Sequence, residues 1–143
     1  MQKISKCDDP VLTIRRYALT AKTLVYIAVA NKKLKYRHAS SSRIAYIGTT
    51  KNGISRIAQS AAYRASTVLG KHGIYKMDFY FVTCKPIQKL KTWKIFEHAL
   101  ILTFRELFGD TPLCNIHGKN AQWRNEKKYF SDKKLRTIIE KYS

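Results

Sequence analysis

The sequence predicts an α+β fold: a small three-stranded antiparallel sheet flanked by helices. Three observations predict it. Runs of strand-forming residues occur at LVYIAVA (24–30), RIAYIG (43–48) and KMDFYFVTC (76–84). Two stretches, 52–69 and 88–108, repeat apolar residues at helical spacing. A shorter pattern of the same kind, SDKKLRTIIEKY, closes the chain.

Taken in order, residues 1–23 form a basic N-terminal extension with Asp9-Pro10 as a turn or helix start. Within it VLTIRRYAL reads equally as a short helix or a strand. NKKLKYRHASSS (31–42) reads as a long polar loop joining the first two strands into a hairpin. In the helix at 52–69, Ile54, Ile57, Ala58, Ala61, Ala65, Val68 and Leu69 share the core side, and Gly70 ends it. Arg56, Ser60 and Tyr63 form a column on the side expected to meet water. In the third strand Asp78, Tyr80 and Val82 alternate with Met77, Phe79 and Phe81. The helix at 88–108 stops at Gly109, with Pro112 beyond, and PLCNIHGKNAQW is irregular. Ser131 is the expected N-cap of the closing helix, whose Leu135, Ile138, Ile139 and Tyr142 should dock on the core. The domain reading is therefore 1–23 as extension, 24–120 as the main domain, and 121–143 as a basic tail and helix of the same globule.

A chain of 143 residues with 45% apolar content suits one domain with its own core. Twenty-eight Lys and Arg stand against nine Asp and Glu, a net charge of +19, which attracts polyanions at long range. Nucleic acid is the first candidate partner and an acidic membrane surface the second. Cys7, Cys84 and Cys114 are an odd set with no close pair, which argues against a disulfide framework and for reduced thiols in the cytoplasm. The opening MQKISKCDDP has no apolar segment of the signal-peptide kind, and LVYIAVA is too short to span a bilayer. Neither a membrane nor a small-molecule cofactor is expected.

Glu97 is the most informative residue. Trp93, Leu100, Ile101 and Phe104 lie three, four or seven positions from it, on the same helix face. A carboxylate within an apolar stripe is costly without a partner. It is either half of a buried salt bridge or an oxygen ligand for a divalent metal such as magnesium. His98 points elsewhere from an adjacent position. His38 and His117 have no partner in sequence, and His72 follows the first helix closely enough to share its cleft.

A strand with Tyr26, a strand with Tyr46-Ile47-Gly48, a helix with Arg56, a later helix with Glu97 and then Asn115 occur in this order. The series resembles the GIY-YIG nuclease domain over about 24–120. Leu24-Val25-Tyr26 stands where Gly-Ile-Tyr is usual; Ala45-Tyr46-Ile47-Gly48 is intact; Arg56 follows Tyr46 at the family's interval of ten residues. Ser60 occupies the place where the family often has His or Tyr, with Tyr63 a turn further on. Asn120 is the alternative to Asn115. Gly73-Ile74-Tyr75 comes after the Tyr-Ile-Gly and is a coincidence of letters.

The resemblance implies a metal-dependent endonuclease that hydrolyses phosphodiester bonds in DNA, restriction-like or phage-type. Its catalytic set would be Tyr26, Tyr46, Arg56, Tyr63, Glu97 and Asn115. Glu97 would hold one Mg2+ (or Mn2+) per active site, no second acid being close enough in pattern to hold another ion and Asp110, in the loop, being the one candidate. Arg56 would bind phosphate, and Tyr26 or Tyr46 would act as general base or orient water. Surrounding cations are expected to favour the phenolate. Lys32, Lys33, Lys35, Arg37 (with Tyr36 among them) and Lys51 form one candidate DNA-binding set. Lys119, Trp123, Arg124, Lys127 and Lys128 form another, continued by Lys133, Lys134 and Arg136. Symmetric cutting of duplex DNA would require a homodimer or higher oligomer. The alternative function is a non-catalytic basic DNA- or RNA-binding protein, which accounts for the charge but not for Glu97.

Overall fold

A computed structural model of the chain describes residues 20–70, 72–116 and 126–143. Three strands, β1 (Leu24–Lys35), β2 (Ser41–Thr50) and β3 (Met77–Val82), make an antiparallel sheet in the order β2-β1-β3. Among the described residues three α-helices accompany it: α1 (Ile54–Val68), α2 (Thr92–Phe108) and α3 (Asp132–Tyr142). The arrangement is α+β, with the sheet expected from the strand-forming runs.

The central strand divides the interior. Val25, Ile27 and Val29 share one core with Phe96, Leu100 and Phe104 of α2 and Leu135 and Ile139 of α3. On the opposite parity Leu24 and Tyr26 pack with Ile57 of α1, next to Tyr46 and Phe79. This is the two-face alternation of a strand. Ser143 ties the end of α3 to β2: its Oγ accepts from Ser42 Oγ at 2.9 Å and its carbonyl from the Arg43 N–H at 3.2 Å.

Four details differ from the expectations. The stretch 31–42 is not a long polar loop, because β1 continues to Lys35 and leaves residues 36–40 as the connection. Leu34 is buried there, and Tyr36 donates its hydroxyl to the Ile44 carbonyl at 2.8 Å and sits edge-on to Phe104. These two anchors outweigh the charges around them, and they remove Tyr36 from the DNA-binding set. Next, α2 begins at Thr92 rather than 88. Lys89 lies at a left-handed φ of 63°, and the Ile87 N–H bonds Thr92 Oγ1 at 2.8 Å, so the chain turns before the helix starts.

On α1, Ala58 is exposed while Ile57 and Val68 are buried, so the face toward the sheet is rotated. The rotation turns Ser60 toward β1 and away from the solvent column. Lastly, Ser131 holds the N-cap position of α3 but makes no side-chain capping bond. The reading of VLTIRRYAL and the candidates Lys119, Asn120, Trp123 and Arg124 lie outside the described residues, as do Cys7 and His117. Cys84 and Cys114 are free thiols. Among the described residues no helix is long and apolar enough to cross a membrane.

Candidate active site

The site begins with two phenols over a glycine. Tyr26 on β1 is paired across the ladder with Gly48 on β2, and Tyr46 lies two residues before Gly48, on the same face. The rings are 5.8 Å apart and tilted by 48°. A Cβ on Gly48 would stand 2.5 Å from Tyr46 Cε1 and 2.8 Å from Tyr26 Cζ and Oη. Gly48 therefore provides the floor on which both phenols rest, a role no larger residue can fill without moving them.

The Tyr26 ring is 2% exposed, and its hydroxyl donates to Ser60 Oγ on α1 at 2.9 Å. Burial pushes its phenol up to about 12; the Ser60 bond works the other way, and the nearby Tyr46 and Glu97 add to the rise. The expectation that cations would favour a phenolate is corrected here: desolvation wins, and Tyr26 is a neutral hydrogen-bonding group. Tyr46 is half-buried, and the Arg64 guanidinium lies 4.3 Å above its ring centre.

Helix α1 supplies two columns. Arg56 and Tyr63 face solvent; Arg56 donates to Gln59 Oε1 at 3.2 Å, and the Tyr63 ring is 63% exposed. Ser60 and Arg64, four residues apart, turn toward the phenols. Arg64 is the residue that the sequence reading missed. Its signal was available: it continues the column of Ile57, Ser60 and Val68, so a rotation of the assumed core face by a fraction of a turn brings it inward. Lys51 is exposed in the turn leading to α1.

Glu97 on α2 is half-buried, flanked in its helix by Trp93, Phe96, Leu100 and Ile101. Burial pushes its carboxyl up to about 7, against the pull of Lys94 and with help from the charge of Glu126. Glu97 makes no ion pair or hydrogen bond with a described residue, so the salt-bridge explanation of its position does not hold among them. Glu126 is engaged by His98, Nδ1 to Oε2 at 2.5 Å, and Asp110 faces Arg37 at 3.6 Å. Among the described residues no three His, Cys, Asp or Glu side chains cluster. A half-buried carboxylate without an ion-pair partner among the described residues fits an ion that keeps most of its waters, as magnesium does.

Asn115 is buried and reaches across to the edge strand. Its Oδ1 accepts from the Ile47 N–H at 2.9 Å, and its Nδ2 donates to the Ile47 carbonyl at 2.7 Å. The Cys114 N–H bonds the Ala45 carbonyl at 2.9 Å. This loop thus completes the outer edge of β2 at the Tyr-Ile-Gly. Asn115 acts by positioning Tyr46 and Gly48, as a loop-ordering residue.

Of the candidate DNA contacts, Lys32, Lys33, Lys35 and Arg37 are exposed at the far end of β1 and in its turn, and Lys128 is exposed beside Tyr129. Lys127 is removed from the set. Its ammonium lies 2.6 Å from Glu106 and 2.8 Å from Asp132, and Arg136 shares both acids. Compared with known proteins, the chain matches no family model, no curated protein and no solved structure.

Proposed function

We propose that this protein is a metal-dependent endonuclease acting on phosphodiester bonds in DNA, restriction-like in its compactness. The observation that carries the reading is the pair of phenols seated over Gly48, with the Glu97 carboxylate, which makes no ion pair with a described residue, near enough for its charge to act on Tyr26. A net charge of +19 supports a polyanionic substrate.

Roles follow from the environment of each group. Tyr26, neutral and bonded to Ser60, holds a proton at its Oη and orients what lies before it. Tyr46, half-buried under Arg64, is the phenol more open to a water molecule and the better candidate to direct it. Arg56, exposed on α1, offers a guanidinium fork suited to phosphate. Tyr63 lies on the same face and can line the substrate. Glu97 would hold Mg2+ or Mn2+, which when bound supplies a Lewis acid for the scissile phosphate and charge for the leaving oxygen. The free thiols Cys84 and Cys114 support a reducing, cytoplasmic setting. Symmetric cutting of duplex DNA would bring two copies together.

The test is incubation of plasmid and single-stranded DNA with the protein in magnesium and in EDTA, with Glu97→Gln beside it. Magnesium-dependent products from the wild type alone, with DNA binding kept in the variant, are expected. Binding without any metal-dependent product would turn the reading to a non-catalytic DNA- or RNA-binding protein.

A further inference from the structure

We infer that the connection between β3 and α2 together with the first turn of α2, residues 83–94, is a second contact surface for the phosphate backbone of DNA, leading onto Glu97. The inference takes from the proposed function only that the partner is DNA. No Asp or Glu occurs between Asp78 and Glu97, while Lys85, Lys89, Lys91 and Lys94 all fall there. All four are exposed, and none makes an ion pair with a described residue.

Elsewhere four of the described acids are matched by Lys or Arg. Glu106 and Asp132 hold Lys127 and Arg136, Asp110 faces Arg37, and Asp78 faces Lys76. Lys85, Lys89 and Lys91 are thus left to an external partner, and Lys94 stands beside Glu97.

The lysines are carried on an ordered turn. The Ile87 N–H bonds Thr92 Oγ1 at 2.8 Å, and the Leu90 N–H bonds the Ile87 carbonyl at 3.1 Å. Behind them is a shallow cleft lined by Thr83, Cys84, Pro86, Thr92 and Trp93. Ile87 and Leu90 are 41% and 37% exposed at the surface of the turn. Ammonium groups with an aromatic ring and apolar contacts among them suit a nucleic-acid strand, whose phosphates need charge and whose sugars and bases need flat apolar surface. The run ends at Lys94, one helical turn before Glu97 and near enough for its charge to act on that carboxylate. Backbone held along the four lysines is therefore delivered to the acid.

The test replaces Lys85, Lys89, Lys91 and Lys94 together by Gln. Binding of a fluorescein-labelled duplex is followed by anisotropy in EDTA over a salt series. A slope of log affinity against log salt smaller by about two to four, with roughly ten- to a hundredfold weaker binding at low salt, is expected. In the wild type these four lysines should also be protected by the duplex from acetylation, with Lys141 as the reference. An unchanged slope, full acetylation on bound protein, absence of DNA binding, or protection only by phosphatidylserine vesicles would overturn the inference. Wild type that binds in EDTA through these lysines yet never cuts in magnesium defeats the nuclease reading and leaves this surface standing.

Discussion

At Gly48 the backbone needs no left-handed conformation; what forbids a side chain is the pair of phenols above it. Gly48→Ala should cost about 1–3 kcal/mol, the range for overpacking a tight site, and displace both rings. A lowered urea midpoint together with lost cutting would be the sign; a variant as stable and active as wild type would show that the rings do not depend on that space. Glu97 makes a second prediction through its charge. Its carboxyl is pushed from an ordinary 4.5 to about 7 by burial. The folded state therefore binds the proton more tightly than the unfolded chain, and the stability this confers is whole below about pH 4.5 and lost as pH rises through about 7. Glu97→Gln should remove that loss, so that in EDTA it gains roughly 2–3 kcal/mol on the wild type at alkaline pH and little near pH 4. Denaturation curves across that range check it, and a pH-independent difference would sink it. Added magnesium should raise the alkaline stability of the wild type and leave the variant unmoved. Both residues were visible in the sequence, one as part of Tyr-Ile-Gly and the other as an acid in an apolar stripe. Arg64 was passed over because the core face of α1 was set a fraction of a turn away, although its column with Ile57 and Val68 was there to be read.

Elements were legible where period and composition agreed and obscured where charge masked the period. In 33–37, Lys33, Lys35 and Arg37 are exposed while Leu34 is buried and Tyr36 half-buried, the alternation of an amphipathic strand. The lysines made the stretch look like a loop, although two residues of the right parity were enough to continue β1. The start of α2 was misplaced for a different reason: nothing local marks Lys89 for a left-handed φ, which follows from the turn that Thr92 holds. The loop at 110–115 was legible only in Asn115, since the rest of its order comes from a strand far away in sequence. Asn115 bonds both polar groups of Ile47, and Thr111 Oγ1 closes the loop on the Asn115 carbonyl at 3.2 Å. Asn115→Ala would strand two groups of an edge strand, at about 1–3 kcal/mol for each that water does not reach. Amide exchange at Ile47 should quicken well beyond the change at Ile27 on the central strand. Equal effects at the two sites would mean that the loop does not hold the edge.

For the molecule as a whole, charge and packing are divided between the two faces of the sheet. The face under α1 carries the phenols with Arg56 and Arg64; the other carries α2 and α3, where Glu106 and Asp132 are already paired with Lys127 and Arg136. Stability and polyanion binding should therefore be separable by substitution. Ile139 is fully buried in the core shared by α2, α3 and β1, and the end of its helix is tied to β2 through Ser143. Ile139→Ala should cost about 2–4 kcal/mol, since the rigid sheet on one side and α2 on the other limit collapse into the space left behind. At temperatures where the variant remains folded, its DNA affinity and its salt slope should match those of the wild type, because no group facing the substrate has moved. If α3 instead formed part of the DNA surface, binding would weaken in step with the packing defect while the protein was still folded. Anisotropy titrations run beside thermal melts on the same sample would separate the two outcomes.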